Sequence, residues 1–188
     1  MAEALVIIEA DEIERLSLRE VARRLGVSHQ APYKHFASRD HLIAEVMRRC
    51  FADLTAALRD RDASDDPDED LRRLGRAYLG HALGRPLEYR LMFSTPWPAI
   101  DAHADVVRDS RYAFDVLRDV LGRRQAARGR LADERGRDAE AMFVWSAMHG
   151  LASILQSDAM EHLGLDGDAR RAVPDDIMRM VDRALDGA

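Results

Sequence analysis

The stretch Ser17-Leu-Arg-Glu-Val-Ala-Arg-Arg-Leu-Gly-Val-Ser-His-Gln-Ala-Pro-Tyr-Lys-His-Phe-Ala-Ser-Arg-Asp-His-Leu42 decides the reading of this chain. Ser17 followed by Glu20 has the spacing of a capping box, in which each side chain satisfies a free backbone N–H of the other. Leu18, Val21, Ala22 and Leu25 recur at i, i+3, i+4 and i+7, the pattern of one buried helical face. Gly26 supplies the left-handed residue that ends a helix in a sharp turn. Ser28 is a good cap for a next helix running to about Phe36, because Pro32 is tolerated only near a helix start. Ser38 caps a further helix. Two short helices joined by a glycine turn, with a third following at once, are the layout of a helix-turn-helix whose second helix enters the DNA major groove.

In that second helix Val27, Ala31 and Phe36 are expected to face the core of a small head. Ser28, His29, Gln30, Tyr33, Lys34 and His35 are then left outward. Ser28 and the free N–H groups of a helix start suit a phosphate. Gln30 can pair with an adenine edge, and Lys34 can donate to guanine or to phosphate. Tyr33 and His35 offer flat surfaces with one donor each. Charge supports the same surface. The chain of 188 residues carries −6 overall, yet Arg15 to Arg49 sums to +5 and the remainder to −11. A basic reading head on an acidic body has this asymmetry. Lys34 is the single lysine; the other 27 basic residues are arginine.

Outward from the head, a first helix covers residues 2–14, with Leu5 and Ile8 on one face and Ile13 and Leu16 closing it. The helix capped by Ser38 continues through Leu42, Ile43, Val46, Met47, Cys50, Leu54 and Leu58 to about Arg59. Asp60 to Asp70 reads as an acidic loop. Leu71, Leu74, Tyr78 and Ala82 mark a helix ending near Gly84, and Leu87 to Phe93 a short one. Ser94 to Pro98 is irregular. Long helices follow over about Ala104–Ala127 and Asp138–Ala159, and Pro174 opens a last one. The six arginines at positions 123, 124, 128, 130, 135 and 137 read as a solvated helix end and loop rather than a second nucleic-acid patch. The helix from Asp138 is apolar on two faces, so its second face is expected to be covered by another subunit. No strand pattern occurs, and the fold class is all-α with about nine helices.

Several functions fall away. The lone Cys50 sits at helical spacing among Met47, Phe51 and Leu54 and reads as a buried small hydrophobe. No apolar run approaches the roughly 18 residues of a spanning helix, and Leu5 to Ile8 between Glu3 and Glu9 is no signal peptide. A cytoplasmic protein without membrane contact is expected. His81, His103, His149 and His162 share no close metal-ligand spacing. There is no Ser/His/Asp order, phosphate loop or strand-borne nucleophile, so neither enzyme, metal nor cofactor is expected.

These residues resemble the TetR family of bacterial transcriptional regulators. The match is carried by Leu18-Arg19-Glu20-Val21-Ala22, Leu25-Gly26-Val27-Ser28, Tyr33-Lys34-His35-Phe36 and Arg39-Asp40-His41-Leu42. The resemblance implies DNA contacts by Ser28, His29, Gln30, Tyr33, Lys34 and His35, and phosphate contacts by Ser17 and Arg19. Arg39 stands where the family commonly has lysine; it keeps the charge and can grip a phosphate with two donors. The resembling proteins usually carry a further stretch before the first helix, which leaves open a weakened DNA affinity or a start further upstream. In the body, Trp145, His149 and Gly150 look like the TetR-type subfamily named for Trp-His-Gly, as does Leu87-Glu88-Tyr89-Arg90-Leu91-Met92-Phe93.

The expected protein is thus a homodimeric repressor with a DNA-binding domain over residues 1–50 and a ligand-binding and dimerisation bundle over 51–188. Each subunit would read half of a palindromic double-stranded operator. A small apolar effector would enter among Tyr78, Met92, Phe93, Trp97, Phe114, Phe143, Trp145 and His149. The last two helices, through Leu151, Ile154, Ile177 and Val181, would form the dimer face, as the resemblance implies. The alternative is a small-molecule-binding or protein-interaction domain whose helix-turn-helix is unused.

Overall fold

The computed structural model describes residues 2–11, 16–94, 96–99, 103–130, 134–157, 159–164 and 167–187. Its regular structure is helical throughout, with no strand among the described residues. In chain order the helices are α1 (Ala2–Asp11), α2 (Leu18–Arg24), α3 (Arg39–Arg59), α4 (Pro67–Gly84), α5 (Pro86–Phe93), α6 (Ala104–Ala127), α7 (Glu134–Leu155), α8 (Ala159–His162) and α9 (Gly167–Asp186). A 3₁₀ turn at Pro32–Lys34 lies between α2 and α3. Ile13 and Arg15, assigned by the sequence to the first helix and the basic head, lie outside the described residues.

The chain forms two compact units. The first comprises Met1–Asp53 and Leu87–Arg111; the second, Leu54–Pro86 and Tyr112–Ala188. Residues 87–111, which the sequence groups with the body, therefore pack with the helix-turn-helix. Specific contacts make that grouping. Arg48 on α3 bonds Asp109 at 3.1 Å, and His103 Nε2 lies 3.1 Å from Asp40. The Phe51 ring stands 5.8 Å from that of Phe93 and 5.6 Å from that of Trp97. The core of this unit includes Ile7, Ile8, Leu16, Leu18, Leu42, Met47 and Met92, all nearly inaccessible, and Cys50 is buried among them as expected.

In the second unit α4, α7 and α9 pack on one another. Gly75 on α4 permits the closest approach: a Cβ there would stand 2.7 Å from the sulfur of Met178 on α9. The arginine-rich end of α6 is a helix end and turn with Arg123, Arg128 and Arg130 exposed, as expected, but Arg124 departs from that expectation and the arginines are paired. Arg124 is only 2% exposed; its Nε donates to Asp68 at 2.7 Å and its Nη2 to Asp186 at 2.7 Å. Arg128 joins both carboxylates at 2.9 Å. Arg123 and Arg61 both bond Asp70, which has no exposed surface. Charges of opposite sign from α4, α6 and α9 are thus neutralised at one place, and a desolvated arginine persists only with such partners.

Other boundaries also differ from the sequence reading. The helix α4 begins at Pro67 rather than Leu71, because the Asp66 carboxylate accepts the Asp68 N–H at 2.9 Å and proline suits a first helical position. The last helix begins at Gly167 and carries Pro174 inside it. Proline has no N–H for the carbonyl four residues back, so one backbone bond of the helical ladder is missing at Pro174. The helix α7 starts at Glu134 and stops at Leu155, before the short α8.

Burial pushes the Asp70 carboxyl up, but Arg61, the Ser64 N–H and Arg123 outweigh it and hold the group below the usual carboxylate range. A depressed carboxyl stabilises the fold above its unfolded pKa of about 3.9, and that contribution is lost as pH falls through the depressed value. Asp70→Asn should therefore cost about 3 kcal/mol near neutral pH by leaving two arginines without their carboxylate. It should also flatten the acid side of the stability curve, as read by denaturant unfolding at several pH values.

Candidate nucleic-acid interface

The interface is built from the α2 cap upward. Ser17 is extended (φ −143°, ψ 152°), and its Oγ accepts the Glu20 N–H at 3.1 Å. Only half of the expected capping box forms. The Glu20 carboxylate turns instead to Arg23 (2.6 and 2.8 Å) and Arg24 (3.0 Å), since a guanidinium is a stronger donor than a backbone amide. Arg23 first and Arg24 second hold the Glu20 carboxyl down at about 2, so at neutral pH it is fully charged.

At its other end α2 stops in a doubly bonded turn. Gly26 has φ +65°. Its N–H reaches the Arg23 carbonyl at 3.2 Å, and the Val27 N–H reaches the Ala22 carbonyl at 3.1 Å. This is the pair of bonds that closes a helix through a left-handed residue. Leu25 caps the helix as its last αR residue and points outward, 52% exposed, rather than completing the buried stripe of Leu18, Val21 and Ala22. The stripe rule fails there because the helix is already ending.

The regular helix expected over Ser28–Phe36 does not form. Residues 29–31 make a turn, and Pro32–Lys34 one turn of 3₁₀ helix. The physical reason is Pro32, which has no N–H to give to the Ser28 carbonyl. That carbonyl instead accepts from Ala31, three residues on, at 2.9 Å. Val27 is 45% exposed and not in the core, while Pro32 is the buried anchor; Ala31 and Phe36 are half-buried.

The outward set is nonetheless brought to the surface. Ser28, His29, Gln30, Tyr33, Lys34 and His35 are all exposed, as is Arg19. Arg19, His29, Gln30 and Tyr33 line one open cleft of about 450 Å³. Among the described residues, Arg19 and Lys34 have no carboxylate partner, whereas Arg23 and Arg24 share Glu20, and Arg48 and Arg49 share Glu45. The cleft therefore combines a free guanidinium with an amide, an imidazole and a phenol, a set that can meet phosphates and base edges together. Ser17 is occupied as a cap, and the Nε–H of Arg39 donates to the Leu16 carbonyl at 2.8 Å.

The eight residues expected around an effector are divided between the two units. In the second unit the Trp145 Nε1–H donates to the Tyr78 hydroxyl at 3.3 Å, and that hydroxyl lies 3.4 Å from His149 Nδ1. Phe114 meets Trp145 edge-on at 6.3 Å between ring centroids. Burial lowers the His149 pKa. Met92, Phe93 and Trp97 belong to the first unit, where the Trp97 Nε1–H donates to the Met92 carbonyl at 3.1 Å. Phe143 is exposed on α7. Of the expected dimer residues, Leu151 and Val181 are buried within their own chain, Ile154 is exposed and Ile177 half-buried. Phe143, expected near the effector, and Met180 are exposed apolar residues of α7 and α9, at helical spacing from Ile154 and Ile177.

Comparison with known proteins finds relatives of both parts of the chain. A family profile described as "Tetracyclin repressor-like, C-terminal domain" matches residues 71–184, and one described as "Bacterial regulatory proteins, tetR family" matches residues 1–46. The HTH-type transcriptional regulator Rv1816 of Mycobacterium tuberculosis is 32% identical over 93 residues, which is 48% of this chain and 40% of that protein. A Mycobacterium bovis regulator, Mb1846, matches to the same extent. The chain thus aligns with less than half the length of these relatives. Among solved structures, a Rhodococcus protein of unknown function superposes with a TM-score of 0.77 at 28% identity, covering 95% of this chain and 91% of the other. The TetR family transcriptional regulator PfmR from Thermus thermophilus superposes with a TM-score of 0.61 at 24% identity, covering 94% and 95%.

The left-handed turn at Gly26 is directly testable. A Cβ there would meet no neighbour, so the penalty for Gly26→Ala is purely conformational. It should cost about 1 kcal/mol in denaturant unfolding, with Gly26→Asn costing less because asparagine tolerates the left-handed region.

Proposed function

We propose, from the premise that this chain belongs to the TetR family of bacterial regulatory proteins, that it is a cytoplasmic, homodimeric, DNA-binding transcriptional repressor released by a small apolar ligand. The observation that carries the DNA-binding reading is the cleft of Arg19, His29, Gln30 and Tyr33, with Lys34 exposed next to Tyr33 in sequence and both cations free of carboxylates among the described residues. Residues 1–50 hold this surface. The effector and dimer roles go to residues 51–188, with residues 87–111 packed alongside the head.

Two subunits would present their clefts to two half-sites, because a two-fold protein calls for two-fold DNA. The dimer face is assigned to the outer sides of α7 and α9, where Phe143, Ile154 and Met180 are 46%, 44% and 54% exposed. Gly150 lies on the same side of α7, with open space where a Cβ would stand. The effector is assigned to the surroundings of Tyr78, Phe114, Trp145 and His149, whose apolar rings surround a few polar atoms. Trp145, His149 and Gly150 also support the Trp-His-Gly subgroup. A ligand there acts only if it binds the DNA-free arrangement of the dimer better than the DNA-bound one.

Two measurements test this reading. Arg19→Ala combined with Lys34→Ala should weaken binding to duplex DNA and reduce the salt slope by about one unit for each phosphate no longer neutralised. An unchanged slope means that neither residue meets a phosphate. No DNA binding by the unaltered chain favours instead a helical interaction domain with an unused head. Ile154→Glu combined with Met180→Glu should yield folded monomers in sedimentation; a persisting dimer places the interface elsewhere.

A further inference from the structure

Arg39 opens α3 at a position that the family resemblance reads as a phosphate contact. Its Nε–H has another task, donating to the Leu16 carbonyl at 2.8 Å across 23 residues of chain. Leu16 is fully buried and directly precedes Ser17, the cap that sets where α2 begins. The backbone bonds of α2 start one residue later, with the Val21 N–H on the Ser17 carbonyl. The Leu16 carbonyl therefore lies outside that ladder, and Arg39 supplies its donor.

The consequence reaches the reading segment. Residues 28–35 have only a 3₁₀ turn of their own, so their position depends on the elements at either end. At one end stand α2 and the Gly26 turn. At the other stands the start of α3, where the Ser38 Oγ accepts the His41 N–H at 3.1 Å. The Arg39–Leu16 bond closes these two ends into a ring that contains the whole reading segment and Arg19. We propose that Arg39 is a positioning residue, which holds the reading segment through the Leu16 carbonyl rather than by gripping a phosphate. This rests on the DNA-binding reading above.

The atom involved makes the proposal separable from a charge effect. Glutamine Nε2 is the same number of bonds from Cα as arginine Nε, so Arg39→Gln keeps a donor at that place while removing the charge. The test uses the full chain and a duplex enriched by it from a random-sequence library, titrated at several potassium chloride concentrations. Arg39→Gln should keep its affinity within about threefold and leave the salt slope unchanged, whereas Arg39→Ala should bind about tenfold more weakly at an unchanged slope. In the free protein, the Glu20 and Val21 amides should exchange faster in Arg39→Ala and not in Arg39→Gln. The proposal is overturned if Arg39→Gln falls as far as Arg39→Ala and the slope drops by about one unit per subunit, the signature of a phosphate that arginine had neutralised. Should Arg39→Ala not fold, the Arg39→Gln slope and affinity decide alone. A wild-type chain that enriches no sequence contradicts the DNA-binding reading itself, and the role of Arg39 falls with it; weakening confined to the variants leaves that reading standing.

Discussion

Pro32 has no N–H to give, and the rest of the candidate interface is arranged around that fact. A segment that cannot run a full helical ladder of its own must have its shape imposed from outside. Here the imposing elements are the left-handed turn at Gly26, the burial of Pro32 itself and the start of α3 at Arg39. Each is a local device, yet together they hold six polar side chains outward and bring three of them into one cleft with Arg19. The family membership of the chain gives this arrangement its proposed purpose.

Charge is managed by the same kind of local pairing. The arginines of the head are mostly matched: Glu20 takes Arg23 and Arg24, and Glu45 takes Arg48 and Arg49. Both glutamates are held down to about 2 by these partners, so the pairing persists across the physiological range. Among the described residues Arg19 and Lys34 have no carboxylate partner, and both are exposed on the surface proposed to meet DNA. In the second unit the opposite problem, an excess of acid, is met by Arg61, Arg123, Arg124 and Arg128 on the carboxylates of α4 and α9. Arginine suits this task because its planar fork can bond two carboxylates at once. The near absence of lysine in the chain is consistent with that use.

Legibility in the sequence follows the range of the interaction concerned. Ser17 as a cap, Gly26 as the turn and Leu18, Val21 and Ala22 as a buried stripe rest on bonds within five residues, and all are readable from spacing alone. Leu25 is misread because α2 is already ending there, and the expected helix over Ser28–Phe36, with Val27 in its core, because a missing proline donor competes locally with a good capping serine. The burial of Arg124 and the pairing of Arg123 are not legible because their carboxylates lie more than fifty residues away, at Asp68, Asp70 and Asp186. A signal exists: Arg128, in the turn directly after α6, follows Arg124 by four residues, the spacing at which two side chains can meet the same carboxylate. The aromatic set around Trp145 is half legible. Tyr78, Phe114, Trp145 and His149 do meet, while Met92, Phe93 and Trp97 pack in the other unit, a tertiary choice that periodicity does not encode.

The central claim is that residues 28–35 with Arg19 read DNA in a two-fold assembly. The most direct measurement is a footprint of the full-length chain on the DNA flanking its own gene. Two protected half-sites related by a two-fold axis and spaced by whole helical turns, abolished on substituting Arg19 and Lys34, are the predicted result. Uniform weak protection without a symmetric site, or none at all, would contradict it.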